Sequence, residues 1–301
     1  MKRIGYLLEY LAVYFLGVSV RLMPLKFALW FGRRLGDIAF FLLKIRRDVV
    51  MKNLAFAFPN KSPGEIRGIA SDTYRNSGMS FIEFLRLPKM TDRDIGDYFE
   101  FEGLEYLDRA LAEKSGAVLV GAHFGNWEMM GAAICRKGYP MDVLAFKQHN
   151  EYFNDMLDSY RKMMGIGLIQ LKFALRAGLK ALKNGRFVAF LADQDAGRRD
   201  GIFVDFFGRP ASTNRGAAVF ALKTGVPVII GVCVRDGSAV KHKVKFLPVD
   251  FTSSGDFEED VRNITARYTK IIEGFIKKYP SHWFWYHKRW KTPASEGDKF
   301  Y

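Results

Sequence analysis

The sequence predicts an α/β fold, a layered structure with a mixed central sheet flanked by helices, preceded by an apolar helical segment. Three observations carry this. Short runs rich in Val, Ile, Leu and Phe alternate with longer segments of helical period; Gly and Asn fall at the boundaries; and two of the apolar runs end in turns dense with ionisable residues. A helix over 61–87 follows the turn Pro59-Asn60-Lys61-Ser62-Pro63, with Ser62 as its cap and Glu65 in its first turn. AVLVGAH (117–123) reads as a buried strand, NWEMMGAAICRKG (126–138) as a helix stopped by Gly138, MDVLAFK (141–147) as a strand and EYFNDMLDSYRKMMG (151–165) as a helix. KFALRAGLKALKNG (172–185) is a helix, FVAFLAD (187–193) a strand and TNRGAAVFALKTG (213–225) a helix, with Thr213 as its cap. PVIIGVCVR (227–235) and KVKFLPVD (243–250) are strands before a helix over 256–278.

The 301 residues are 49% apolar, enough to bury a substantial core, and the formal net charge is +14. So basic a chain needs an anionic partner: nucleic acid, anionic lipid, or an acidic protein or substrate. Aromatic residues make up 15%, 27 of them Phe, which suits a protein resting on an anionic bilayer better than a nucleic-acid binder. Residues 4–20, IGYLLEYLAVYFLGVSV, follow a Met-Lys-Arg start but are interrupted by Glu9 and lack a small-x-small cleavage site. The next stretch breaks its apolar runs with Arg33-Arg34 and Arg46-Arg47. Residues 1–50 are therefore expected to form an anchor that enters or lies in a membrane interface, with 51–301 as the body, on the cytoplasmic side. Cys135 and Cys233 sit in apolar surroundings without a CxxC or Cys/His cluster, and are read as buried thiols.

The chemistry concentrates in GAHFGNWE, residues 121–128. On a continuous helix His123 and Glu128 would point about 140° apart and could not meet. Gly125 permits a sharp turn and Asn126 is a good helix cap, so Glu128 is expected in the first helical turn, able to reach back to the imidazole. A carboxylate on one ring nitrogen would fix the tautomer and leave the other to accept a hydroxyl proton. The helix start beside it suits an oxyanion or phosphate. A purely structural histidine at a strand end is the competing reading. The sequence has no GxSxG elbow, phosphate loop or dinucleotide fingerprint, and H-x4-E is not a recognised metal-ligand spacing, so no metal or cofactor is expected.

These residues resemble the H-x4-D/E signature of the glycerolipid acyltransferase superfamily, in the His–Glu form of the bacterial lipid A late acyltransferases of lauroyl and myristoyl type. The resemblance spans nearly the whole chain. RRDVVMKNLAFAFPN, within Arg46 to Glu83, is similar to the family's N-terminal helical part; ADQDAGRRDGIFVDFFGRPASTNRG (192–216) to its second landmark; and YPSHWFWYHKRWK (279–291) to its tryptophan-rich, basic C-terminal signature. The resemblance implies a layered α/β acyltransferase fold. It implies that His123 deprotonates the acceptor hydroxyl and Glu128 orients it. Arg161 would bind a phosphate of donor or acceptor; Asn126, Asp193 and Asp195 would shape the pocket; and Phe207 and Thr213 would line the acyl or acceptor site. Where the family shows an Arg-Pro, this chain reads Lys147-Gln148-His149-Asn150, and His149 is taken as a bystander.

The expected activity is O-acyl transfer from an acyl carrier protein thioester to a hydroxyl of an anionic glycolipid, a lipid A precursor of Kdo-lipid A type, at the cytoplasmic face of the inner membrane. The aromatic and basic residues of WFWYHKRWK are expected at the headgroups, against lipid phosphate or the acidic carrier protein. Two alternatives stand beside this. One is acyl-CoA-dependent acylation of a phosphatidylinositol mannoside or other phospholipid; the other is an inert peripheral lipid-binding protein. Nucleic-acid binding is disfavoured by the absence of a recognisable module.

Overall fold

The computed structural model describes residues 2–145, 147–170, 173–237 and 240–301. Phe146 and Lys172, included in an expected strand and helix, lie outside the described residues. The chain opens with α1 (Lys2–Leu22), then α2 (Leu25–Asp37), which runs into a π-helical turn at Ile38–Leu42, and α3 (Arg47–Ala57). α4 (Pro63–Arg86) begins as expected: the Ser62 side chain accepts from the Glu65 backbone N–H, and the Glu65 carboxylate accepts from the Ser62 N–H at 2.9 Å. α2 crosses α4 at backbone contact. A Cβ on Gly36 would lie 2.3 Å from the Tyr74 carbonyl oxygen, and one on Gly78 2.1 Å from that of Gly32, so only glycine permits this approach.

After α5 (Asp92–Tyr98) come β1 (Phe99–Glu102), α6 (Leu104–Ala112), β2 (Ala117–Gly121), α7 (Trp127–Arg136) and β3 (Met141–Ala145). Then follow α8 (Glu151–Met163), β4 (Gly167–Gln170), α9 (Ala174–Lys183) and β5 (Phe187–Leu191). A short α10 (Gly197–Asp200) leads into the hairpin β6 (Gly201–Phe206) and β7 (Arg209–Asn214), and α11 (Gly216–Thr224), β8 (Val228–Arg235), β9 (His242–Pro248) and α12 (Phe257–Lys278) complete the order. Seven strands form one sheet in the order β1-β9-β8-β2-β5-β3-β4, parallel throughout except where β8 meets β9. The expected mixed sheet is therefore present.

β2, at its centre, is buried on both faces, which explains its unbroken apolar run. Val118 and Val120 belong to a core shared with α9, α11 and α12; Ala117 and Leu119 belong to one shared with α4, α7 and α8.

Three expectations are corrected. Thr213 does not cap a helix: it lies in β7, paired with Ile202 of β6, and α11 starts at Gly216, whose N–H donates to Asn214 Oδ1 at 2.7 Å. Phe207, expected at the acyl or acceptor site, is not among the residues that line the large cavity beside His123. It occupies the β6–β7 turn with φ +56°, a left-handed conformation uncommon for an aromatic residue, its N–H donates to buried Glu273 at 2.8 Å, and its ring packs on Phe58 and Trp285. The tryptophans of the C-terminal signature do not face headgroups: Trp283, Trp285 and Trp290 are at most 2% exposed and join the core, and Arg289 is buried with them. Burying three indoles removes more apolar surface from water than an interfacial belt would.

Candidate active site

The site grows out of sheet register. β2 and β5 are adjacent and parallel, with Gly121 opposite Leu191. Two residues beyond each strand stand His123 and Asp193, so the same register brings them together at the carboxyl edge, where open α/β sheets place their chemistry. His123 Nδ1 lies 2.8 Å from Asp193 Oδ1, and the His123 backbone N–H donates to Asp193 Oδ2 at 3.0 Å. Trp283 Nε1 donates to the same Oδ2 at 2.7 Å. Burial alone would raise the Asp193 carboxyl's pKa, but the His123 imidazole and these donors outweigh it and hold it below the usual carboxylate range. An ionised Asp193 requires the proton on Nδ1, leaving Nε2 as the acceptor; among the described residues no hydrogen bond occupies Nε2.

The sequence places Glu128 on this imidazole, and the structure corrects that. The turn is present: Gly125 has φ +61°, a Cβ there would lie 1.7 Å from the Cys233 carbonyl oxygen, and Asn126 caps α7 by accepting from the Met129 N–H at 3.2 Å. The Glu128 carboxylate, however, leaves the first turn of α7 toward α8, where it holds Arg161 through both oxygens, at 3.0 Å to Nε and 2.5 Å to Nη2. Both side chains are about 15% exposed, and despite burial this pairing raises the Arg161 pKa. Arg161, expected as a free phosphate ligand, thus carries a bidentate carboxylate.

Two further supports are not legible as motifs. The C-terminal signature clamps the histidine loop as a short antiparallel ladder: Gly125 N–H donates to the His282 carbonyl at 2.7 Å and Phe284 N–H to that of His123 at 2.9 Å. Behind the loop, Asn126 Nδ2 donates to Glu83 Oε2 at 2.7 Å, and Glu83 takes Arg235 at 2.5 and 2.6 Å and His242 Nε2 at 3.0 Å. Burial opposes charge on all three. The mutual pairing prevails, holding Glu83 well below the carboxylate range and raising His242 to about 9. Asn126 is committed to this scaffold, 3% exposed. Asp195 sits at the cavity rim and is taken up by Thr292, whose hydroxyl donates at 2.9 Å, while its N–H donates to His287 Nε2 at 3.0 Å.

His123, Trp127, Glu128 and Arg161 line a cavity of about 1110 Å³. Its depth, between the sheet and helices α7 and α8, is apolar, with Leu119, Gly131, Ile134, Met141, Leu157 and Ile166 in the wall. Its rim is polar, with Asn76, Ser77 and Ser80 of α4, Ser281, Asp195 and Arg199. The volume is at the upper end for small-molecule sites and suits a lipid chain. Among the described residues no group of three or more His, Cys, Asp or Glu could hold a metal ion.

The sequence profile of the bacterial lipid A biosynthesis acyltransferases matches residues 2–292. The chain is 28% identical to the lipid A biosynthesis palmitoleoyltransferase of Escherichia coli (strain K12), over 92% of this chain and 90% of that protein. It is 27% identical to the lauroyltransferase of the same organism, over 95% and 92%. It is 29% identical to a phosphatidylinositol mannoside acyltransferase of Mycobacterium tuberculosis, over 83% and 78%. Matched over nearly its whole length, from the apolar first helix through the histidine turn to the tryptophan clamp, the chain belongs to the bacterial lipid A biosynthesis acyltransferase family.

Proposed function

We propose that this chain moves a fatty acyl group from an acyl carrier protein thioester to a hydroxyl of an anionic glycolipid, a lipid A precursor, with His123 as general base. The observation that carries the reading is an imidazole seated on a buried carboxylate at the mouth of a large apolar cavity. His123 Nε2 takes the acceptor hydroxyl's proton while the alkoxide oxygen bonds to the thioester carbonyl carbon. Asp193 stabilises the imidazolium that forms. The developing oxyanion is held by the open N–H groups in the first turn of α7. The C–S bond then breaks, and the imidazolium returns its proton to the departing thiolate. The donor's chain occupies the apolar depth. The Glu128–Arg161 pair fixes a cation beside the reacting carbonyl, and Arg161's remaining N–H groups serve a phosphate oxygen.

A net charge of +14 supports an acidic carrier protein as donor and an anionic acceptor in an anionic membrane. The apolar helix Lys2–Leu22 supports membrane association, and the basic N-terminal flank supports the cytoplasmic face of the inner membrane. The test offers carrier-protein and coenzyme A thioesters with a tetra-acylated lipid A precursor to wild type and His123→Ala. Transfer by wild type from the carrier thioester, with a loss of roughly 10²-fold or more in the variant, is expected. Turnover only with acyl-CoA and a phosphatidylinositol mannoside would favour the second reading, which rests on the mycobacterial relative.

A further inference from the structure

Among the described residues, fourteen of the twenty exposed large apolar side chains fall between Ile4 and Ile45, on α1, α2, the π-helical turn and the residues just after it. Among the described residues α1 alone is long and apolar enough to cross a bilayer, at 21 residues and mean hydropathy 1.3. Length does not decide how it sits; its neighbours do.

One stripe of α1 is fastened to the body along its whole length. Near its start, the Tyr6 carbonyl accepts from Asn150 Nδ2 at 2.9 Å, and Arg3 meets Glu151. In the middle, the Tyr10 and Tyr152 rings lie 6.0 Å apart. At its end, Arg21 Nε donates to the Leu85 carbonyl at 2.9 Å and its guanidinium reaches the Tyr160 hydroxyl. The carbonyls of Val20 and Met23 accept from Arg86, and that of Arg21 from Lys89. Its contacts therefore step along α8 from Asn150 to Tyr160, and α1 runs parallel to α8 over that helix's length. α8 exposes Asp155, Ser159 and Lys162, with Met163 at its end the one exposed apolar residue among them. A transmembrane α1 would carry these charges into hydrocarbon with it, where charged side chains are costly.

Resting on the membrane association proposed above, we infer that α1 does not cross the bilayer: it lies in the plane of an anionic lipid surface, its free face in the acyl boundary and α8 on the side away from the lipid. Ile4, Leu8, Phe15 and Leu22, 62–81% exposed, form that free face. α2 adds Phe27 and Trp30, whose rings stack at 5.5 Å with both half exposed. Lys2, Arg3, Lys26, Arg34, Lys44 and Arg46 flank these apolar residues, the charge pattern of an interfacial helix on anionic lipid. α1 and the site are thereby one rigid unit, because Tyr160 precedes the Arg161 that holds Glu128.

Sidedness tests this. Lys2→Cys and Lys26→Cys, each retaining transfer activity, are produced in a bacterial host and probed with a membrane-impermeant maleimide in intact spheroplasts and in inverted inner-membrane vesicles, with wild type as background. The in-plane helix predicts that neither variant labels above background from outside, and that both label to the same extent in inverted vesicles. Labelling of the Lys2→Cys variant from outside, with the Lys26→Cys variant reactive only in inverted vesicles, would show a span and overturn the inference. A Lys2→Cys thiol unreactive from either side until detergent is added would place the helix start in hydrocarbon and also overturn it. Recovery of active protein in the soluble fraction would instead refute membrane association itself.

Discussion

Asp193→Asn separates the charge of the imidazole's partner from its shape. In the native site Oδ1 accepts from His123 Nδ1 at 2.8 Å, while Oδ2 accepts from the His123 N–H at 3.0 Å and Trp283 Nε1 at 2.7 Å. An asparagine has one oxygen for these two positions. Two N–H donors converge on Oδ2, so the amide oxygen goes there and the NH₂ faces Nδ1. Nδ1 must then accept, its proton moves to Nε2, and the nitrogen offered to the acceptor hydroxyl is a donor instead of a base. The lost charge adds to this. Taking imidazolium and carboxylate as about 4 Å apart at an effective dielectric of about 20, their attraction is about 4 kcal/mol, or about 10³-fold in rate. Tautomer and charge together predict a kcat lower by about 10³–10⁴-fold, with KM changed only a few-fold, since Asp193 does not line the cavity. The assay is single-turnover transfer of labelled acyl chain from carrier protein to lipid acceptor, with circular dichroism confirming the fold. A loss below about tenfold in folded Asp193→Asn, beside a loss above about 10³-fold in Glu128→Gln, would return the orienting role to Glu128 and refute this reasoning.

Glu128→Ala leaves Arg161, 16% exposed, without its carboxylate, and is expected to lower stability in urea by about 3–5 kcal/mol; Glu128→Ala/Arg161→Met should recover much of it. A Cβ on Gly131 would lie 3.3 Å from Met141 Cε and 3.4 Å from Ile166 Cδ1, so Gly131→Val narrows the apolar depth, and mass spectrometry of the product should show a shift toward shorter transferred chains. Burial lowers His282 and His287 from 6.5 to about 4, so the unfolded chain binds protons first as pH falls. Their contribution to stability is present above pH 6.5 and drains away between 6.5 and 4; a melting temperature flat across that window would contradict it. His242 has the opposite sign: raised to about 9 by Glu83, it contributes fully below pH 6.5 and loses that contribution as pH rises through 9, a decline that His242→Gln should flatten.

What is legible in the sequence follows from how local each signal is. Ser62 with Glu65, Gly138 ending a helix, and the unbroken Val-Leu run of β2 are decided within a few residues, and the structure keeps them. β4, only four residues long, is too short to show a period, and β6 alternates buried Ile202, Val204 and Phe206 inside a segment that reads as a landmark. The tryptophan tail misleads because composition alone does not distinguish an aromatic cluster facing headgroups from one filling a core. The deciding fact is an internal polar partner, which Trp283 Nε1 finds in Asp193 Oδ2 and Trp285 Nε1 in the Pro280 carbonyl, each at 2.7 Å.

The carboxylate beside His123 shows the same limit more sharply. His123 and Glu128 are neighbours in sequence, so the turn between them is readable, and the turn is there. Which acid meets the imidazole depends on strand order instead. Because β5 pairs with β2 in register, Asp193, seventy residues away, is brought to Nδ1, whereas Glu128 starts a helix that leaves the sheet and meets α8. Glu83, Arg235 and His242 carry no motif, yet a buried carboxylate holding Asn126 needs two cations to remain ionised, and only the crossing of α4 with β8 and β9 supplies them. Removing either cation would leave Glu83 buried and half-paired. The cost would therefore fall on the cap of α7 and, through it, on the turn that presents His123.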